Sequence, residues 1–516
     1  MITQDQSAVL AFLASPGTHA GAAVERIETH SAVVFLAGPR AWKLKRAVRY
    51  DYLDFSTAER RRAMCEAEVR INRRTAPGLY RGVVPVTRER DGSLALGGSG
   101  TPIDWVVEMT RFDQEALLDR LASQGRLDIR LMSSLASAIA ALHREAELRG
   151  DHGGRAGMVR VIEGNAAGLA EQGAGVLDPG LAERVTDAAR EAVSRDAALL
   201  ETRRAAGRVR QCHGDLHLRN IVLLGGRPIL FDGIEFDDDI ACIDVLYDFA
   251  FLVMDLWRRD LTSHANVLFK DYLAETGELD GLSLMPLFLS CRAAVRAKTS
   301  LTAARLQADP ERRRELTTLA GSYLMLAARL LEPPRPSLIA IGGPSGSGKS
   351  TLALALAPAV GPTPGAVVLS SDEVRKRLSG VDPLTRLGPE AYAPEVSRRV
   401  YLTACERAGM IVRAGHAAVV DAVFMRAEDR AEIEAVAAAA EVPFVGLWLD
   451  AGETVLLDRI ARRQFDASDA DAGVVRAQLG EDTGCITWHR LDASGSLDDI
   501  RRQARYVVRK AGVAMP

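Results

Sequence analysis

Gly343-Pro344-Ser345-Gly346-Ser347-Gly348-Lys349-Ser350 fits the pattern GxxxxGK[ST] at every fixed position. In such a loop backbone N–H groups converge on phosphate oxygens, because glycine leaves no side chain in the way. The loop follows the apolar run Leu338-Ile339-Ala340-Ile341 and precedes a helical stretch, Thr351 to Ala357, whose N-terminus adds partial positive charge. Lys349 is expected to reach the outer phosphates and Ser350 to bind Mg²⁺, with Gly343, Ser345, Gly346, Ser347, Gly348 and Thr351 completing the cradle. Two carboxylates close apolar runs nearby. Val367-Val368-Leu369-Ser370-Ser371-Asp372 puts Asp372 at the end of a strand, the edge at which open α/β sheets bind ligands. Arg375 follows one helical turn later. Ala418-Val419-Val420-Asp421 does the same for Asp421, which can hold Mg²⁺ through water. Helix capping is the competing role for both acids. Arg459, Arg462 and Arg463 recur at i, i+3 and i+4, a spacing that suits cations over a moving phosphoryl group or simply a solvated helix face.

A second constellation lies upstream. His213-Gly214-Asp215-Leu216-His217-Leu218-Arg219-Asn220 contains HGDxxxxN, and after eleven intervening residues Asp232 ends the strand Ile229-Leu230-Phe231. Gly225-Gly226 makes a hairpin turn that brings Asp215, Asn220 and Asp232 together. Phosphoryl transfer uses such a set: Asp215 to accept or orient the acceptor hydroxyl, Asn220 and Asp232 to hold Mg²⁺ against the phosphates. The Asp–Asn spacing matches the protein-kinase loop HRDxxxxN with Gly in place of Arg, which favours a constitutive small-molecule kinase.

HGDLHLRN together with Phe231 to Phe236 (FDGIEF) resembles the aminoglycoside phosphotransferase family and its choline- and fructosamine-kinase relatives, from about residue 31 to about 300. The resemblance implies a strand Lys on the nucleotide phosphates and a helix Glu that orients it. Trp42-Lys43-Leu44-Lys45 offers Lys43, with Lys45 as the alternative; Glu68 is the expected partner, with Glu66 behind it. It also implies a structural role for Asp248 and a metal-proximal loop running on through Glu235 and Asp237 to Asp239. No GxGxxG precedes the Lys strand, where only Thr29-His30-Ser31 stands, so the grip on phosphate falls to backbone or Ser31. The later half, through its P-loop, Ser371 to Arg375 and the arginine-bearing helix, resembles the small P-loop kinases that include zeta toxins, chloramphenicol phosphotransferases and polynucleotide-end kinases. That resemblance implies Asp372 as base on the acceptor hydroxyl and Arg375 as ligand of acceptor or phosphate.

The elements needed to position these residues are legible in outline. Glu332-Pro333-Pro334-Arg335-Pro336 reads as a stiff linker. Residues 1–332 are expected to form a two-lobed α+β protein-kinase-like domain, with a small lobe of about 1–110 and a helical lobe of about 111–332. Residues 333–337 link it to an α/β P-loop domain with a parallel sheet, 338–516. A hairpin over 31–48, a helix over 57–74, helices over 128–150 and 180–206, and a strand-loop-hairpin over 209–232 furnish the first site. Strand–helix alternation from 338 to 463 furnishes the second.

Bulk properties narrow the partners. The 516 residues carry a formal net charge of −3, with no general pull toward nucleic acid or anionic membrane. Polynucleotide ends stay open as an acceptor only through a local groove of Arg375, Lys376 and Arg377. Six scattered Cys form no CxxC, and no apolar run approaches membrane-spanning length, so a reducing cytoplasm is expected. The expectation is a bifunctional kinase using ATP and Mg²⁺ on small-molecule hydroxyls, with one domain as a nucleotide-sensing regulator of the other as the alternative; oligomeric state is left open.

Overall fold

The computed structural model describes residues 3–29, 31–50, 53–462 and 467–515. It packs as two compact units, residues 1–162 with 193–255, and residues 163–192 with 256–516. These units follow packing, whereas the linker divides the chain covalently; 333–337 has no regular structure.

The first unit is built on an antiparallel sheet. Its strands are β1 (Val24–Glu28), β2 (Ala32–Ala37), β3 (Arg40–Lys45), β4 (Tyr80–Arg88), β5 (Leu94–Leu96) and β6 (Thr101–Thr110), in the order β1-β2-β3-β6-β4-β5. Alternation along β3 sends Trp42 and Leu44 into an apolar cluster on one face. Lys43 and Lys45 point to the other face, where helix α1 (Ala58–Asn72) lies. Thr57 caps α1 by accepting from the Arg60 N–H. Buried Arg61 fastens it to β6 through both carboxylate oxygens of Asp104, at 2.8 and 2.9 Å. The catalytic-type loop follows a short strand and leads into the hairpin β7 (Ile221–Leu224) and β8 (Arg227–Leu230), paired as the Gly225-Gly226 turn requires. Helix α2 (Leu131–Glu145) packs on that hairpin, and α3 (Val245–Arg258) carries Asp248.

The second unit holds a five-stranded, all-parallel sheet: β9 (Leu338–Gly342), β10 (Val367–Ser370), β11 (Ala418–Asp421), β12 (Phe444–Asp450) and β13 (His489–Asp492), in the order β10-β11-β9-β12-β13. The chain starts at the central strand, moves to one side and then to the other. The switch point therefore falls at the C-terminal end of β9, where the P-loop begins. The sequence rhythm from 338 to 463 matches this sheet; β13 lies beyond it and escaped the reading because His489-Arg490-Leu491-Asp492 has one buried apolar residue. Likewise the helix expected over 180–206 breaks at Asp196 into two, 179–195 and 197–205. Among the described residues, no helix is long and apolar enough to cross a membrane.

Helix α4 (Thr262–Thr276), upstream of the linker, runs along the edge strand β10. Three positions at i, i+4 and i+8 make the contact. Asn266 donates to the carbonyls of Pro364 and Ala366, at 3.2 and 3.0 Å, and Lys270 pairs with Glu373 at 2.7 Å. The Ala274 carbonyl accepts from Arg377. A covered edge presents no unpaired row of peptide groups to another chain. The Phe269 ring lies 5.3 Å from that of His416, which burial pulls down to about 4. Since the folded value lies below the ordinary 6.5, stability is fully present above pH 6.5 and is lost as pH falls toward 4. At 1.36 kcal/mol per pH unit this amounts to about 3 kcal/mol. Urea unfolding of His416→Asn is expected to lose that part of the slope between pH 6.5 and 4.

Candidate active sites

In the first unit the structure brings the expected charges into one network. Lys43 Nζ donates to Glu68 Oε1 at 2.8 Å and to Asp232 Oδ1 at 2.6 Å. Lys45 Nζ donates to Glu68 Oε2 at 2.6 Å and also to Glu235. Glu68 thus lies between two ammonium groups, while Glu66 pairs with Arg62 at 2.9 Å on the exposed side of α1. Burial pushes the Glu68 carboxyl up, but the two lysines outweigh it and hold it at about 2. Their own ammonium groups are raised: burial works against them, and Asp232 and Glu68 at Lys43, Glu235 and Glu68 at Lys45, prevail. Glu235 is raised, because burial exceeds the pull of Lys45. The two lysines differ in access, with side-chain exposures of 16% for Lys43 and 2% for Lys45.

Asp215 and Asn220 are bonded to each other, and the hairpin brings the residue before Asp232 beside them, Phe231 N donating to the Asn220 carbonyl at 3.0 Å. Asn220 Nδ2 donates to the Asp215 carbonyl at 2.9 Å and to Asp215 Oδ2 at 3.0 Å, and His217 Nε2 lies 3.3 Å from the same oxygen. Asp248 accepts from the N–H groups of His213 and Gly214, at 3.1 and 2.9 Å, and Asp255 accepts from Leu218 N at 3.1 Å. These two acids thus brace the loop backbone. Asp238 and Asp239 are occupied by Arg149 and Arg160, at 3.0 and 2.6 Å. Asp232 has φ of +60°, an uncommon conformation for a residue with a side chain. Tyr80 Oη accepts its N–H at 3.1 Å, and Asn72 holds the next residue by accepting from Gly233 N at 2.7 Å. Asn72 was missed in the sequence, although it stands one helical turn beyond Glu68. His30 lies outside the described residues.

In the second unit the P-loop connects β9 to helix α7 of the sheet domain (Lys349–Leu356), counting α5 (Met285–Leu306) and α6 (Pro310–Leu330) before it. Gly343 has φ of +132°, and a Cβ there would lie 2.4 Å from the Leu449 carbonyl oxygen. Gly346 has φ of +84°, and a Cβ would meet the Leu456 carbonyl at 2.8 Å. Only glycine fits either place. A cavity of about 1040 Å³ opens on this loop. Ser345 through Thr351, Asp372, Arg375, Asp421 and Arg459 all line it. Gly343 is not among the lining residues; its N–H donates to the Val423 carbonyl at 3.1 Å.

Asp421 is buried, and its Oδ2 has no hydrogen-bond partner among the described residues. Burial pushes it up to about 6, against the pull of the Lys349 ammonium and the Ser350 hydroxyl. A buried, unpartnered carboxylate oxygen beside a hydroxyl is a donor set that fits a hard divalent cation. Arg459 donates to the carbonyls of Ser347 and Gly495, both at 3.3 Å. Arg462 instead turns outward, pairs with Asp458 at 3.0 Å and does not line the cavity. Arg463 lies outside the described residues. Arg375, on helix α8 (Ser371–Leu378), stacks 4.7 Å over Tyr392 and donates to the Ala391 carbonyl at 2.6 Å, so it shapes the wall that Asp372 shares. Lys376 is buried against Asp469 at 2.6 Å, and Arg377 is tied to Ala274, so neither furnishes a basic groove. Asp469 also accepts from Tyr392 Oη at 2.6 Å and from Leu387 N at 3.1 Å. No local pattern in Ser468-Asp469-Ala470 announces that role.

Residues 33–282 match the model of the phosphotransferase enzyme family, and residues 338–481 match an AAA domain model of P-loop kinase type. The chain is 31% identical over 494 residues to "Uncharacterized protein Rv2004c" of Mycobacterium tuberculosis, covering 94% of this chain and 95% of that one. A Mycobacterium bovis protein, "Uncharacterized protein Mb2027c", matches equally, at 31% over the same 494 residues. Among solved structures, a Plasmodium vivax ethanolamine kinase is 14% identical, with 59% of this chain and 82% of that chain covered and a TM-score of 0.38. A Deinococcus radiodurans tunicamycin resistance protein is 20% identical, with 35% of this chain and all of that one covered (100%) and a TM-score of 0.26.

Proposed function

The chain belongs to the family of those mycobacterial proteins and joins a phosphotransferase-family domain to a P-loop kinase domain; we propose that it is a bifunctional ATP-dependent kinase, each half moving the γ-phosphate to a hydroxyl of a small molecule in the cytoplasm. The contact of Lys43 with both Glu68 and Asp232 carries this reading. A first half reduced to a regulator would have no need to keep a nucleotide lysine and a metal carboxylate within one bonded network.

In the first site Asn220 and His217 orient Asp215 Oδ2 toward an acceptor hydroxyl whose proton Asp215 takes. Lys43, turned by Glu68, meets phosphate oxygens. In the second site Asp372 takes the acceptor proton, the P-loop amides and Lys349 hold the phosphates, and Arg459 adds charge at the loop. Mg²⁺, which Asn220 with Asp232 and Ser350 with Asp421 would hold, neutralises charge between neighbouring phosphates when bound.

The test is ATP consumption with Mg²⁺ and a library of metabolites and aminoglycosides, for wild type, Asp215→Ala and Lys349→Ala. Each variant is expected to lose a different acceptor-dependent activity. Loss of every activity through one variant alone would make the other half regulatory.

A further inference from the structure

The P-loop has a neighbour that the nucleotide-binding pattern does not contain. After helix α9 (Pro394–Arg413) and a helix over Ala427–Ala439 come α10 (Glu453–Ala461) and α11 (Ala472–Gly480). Asp471 caps α11 by accepting from Val474 N at 3.0 Å, Val475 is buried in the sheet-domain core, and Arg476 pairs with Glu453 of α10 at 3.3 Å. So fixed, α11 delivers Gln478 to the cavity wall, where its Oε1 accepts from Ser345 N at 2.8 Å.

That N–H belongs to the Pro344–Ser345 peptide, and the carbonyl of the same peptide accepts from Lys349 Nζ at 3.1 Å. The Lys of this loop reaches the outer phosphates. Gln478 and the Lys349 ammonium therefore flank one peptide group at the outer-phosphate end of the loop. A backbone N–H can only donate, so the carboxamide oxygen must face Ser345, and Nε2, with two donors, is the other end. Among the described residues Nε2 has no hydrogen-bond partner.

We propose that Gln478 is a terminal-phosphate-binding residue of the P-loop site: its oxygen is held by Ser345 N–H and its Nε2 donates to the outermost phosphate of a nucleoside triphosphate. This rests on the reading of the loop as a nucleotide site. It adds a discriminator between triphosphate and diphosphate from outside the loop.

Gln478→Glu separates the two ends of the side chain. It keeps an oxygen for Ser345 N–H and replaces the donors by a negative oxygen. Calorimetric titration of the full chain with the Mg²⁺ complexes of AMP-PNP and ADP reads the outcome, taking the component that Lys349→Ala abolishes. Gln478→Glu is expected to weaken AMP-PNP at least about tenfold and ADP less than about threefold. Gln478→Ala, which adds no charge, is expected to show the same selectivity at about threefold to tenfold. Equal weakening of both nucleotides, or wild-type affinity in both variants, overturns the proposal and leaves Gln478 as a brace for the Ser345 amide. Absence of any Lys349-dependent binding in wild type overturns the nucleotide reading of the loop, and this assignment with it.

Discussion

Asp372→Asn is expected to lower acceptor-dependent phosphotransfer at the P-loop site by about 10²–10⁴-fold while leaving MgATP affinity within about threefold of wild type. The substitution replaces a proton acceptor by an amide and removes its negative charge. Asn matches Asp in shape and serves nearly as well near a helix N-terminus. Helix α8 is anchored independently of Asp372, through Glu373 to Lys270 at 2.7 Å and through Lys376 to Asp469 at 2.6 Å. The cavity wall beside it stays in place through Arg375 and Ala391. Steady-state kcat with the acceptor found by library screening, set against calorimetric MgATP affinity, separates the possibilities. Loss of kcat with affinity kept assigns the proton to Asp372. A kcat within about threefold of wild type moves that role to another acid on the cavity, for which buried Asp429 is placed and Asp469, already accepting three donors, is not.

The sequence exposes those parts of both sites whose chemistry is local. A phosphate loop must be one contiguous segment with glycines at fixed places and Lys-Ser at its end, and the Asp215–Asn220 pair must share one turn of chain, so both are readable as spacing. Strand alternation narrows the phosphate lysine to Lys43 or Lys45 and cannot go further, since both share a face. What separates them is depth, set by how far Glu235 folds under β3. Asp469 and Gln478 are illegible for the opposite reason. Each acts on a partner more than eighty positions away, and neither lies in a patterned stretch. Arginine spacing misled at Arg462: i, i+3 and i+4 cover enough of a helix turn that Arg459 can face the loop while Arg462 faces solvent. The role of α4 at the edge of the parallel sheet was hidden because Asn266 and Lys270 look like ordinary polar positions until a partner is known.

Lys43→Met and Lys45→Met are expected to fail in different ways, and the difference assigns the phosphate contact. Lys43 is the more open of the two and already touches Asp232, whose side chain is 43% exposed. Its loss is expected to cut transfer at the first site by about 10²–10³-fold, the scale for removing one charge-stabilising donor, with a small change in stability. Lys45 is sealed between Glu68 and Glu235. Its loss leaves two buried carboxylates with one ammonium between them, and removing one partner of such a cluster costs about 3–5 kcal/mol. The sign of the pH dependence follows from Glu68. Its value of about 2 lies below the ordinary 4.5, so its contribution is present above pH 4.5 and is lost as pH falls toward 2. With Lys45 gone Glu68 keeps only Lys43, the depression shrinks, and the variant is expected to show less acid-induced loss across that window from a lower starting stability. Lys45→Met combined with Glu235→Leu removes the stranded acid as well and is expected to recover most of the stability, since a buried ion pair can be exchanged for apolar contact at little cost. Urea midpoints and first-site kcat on the same four proteins decide it. If Lys45→Met loses activity at unchanged stability while Lys43→Met does not, the deeper lysine is the phosphate ligand, and β3 has to shift outward when nucleotide binds.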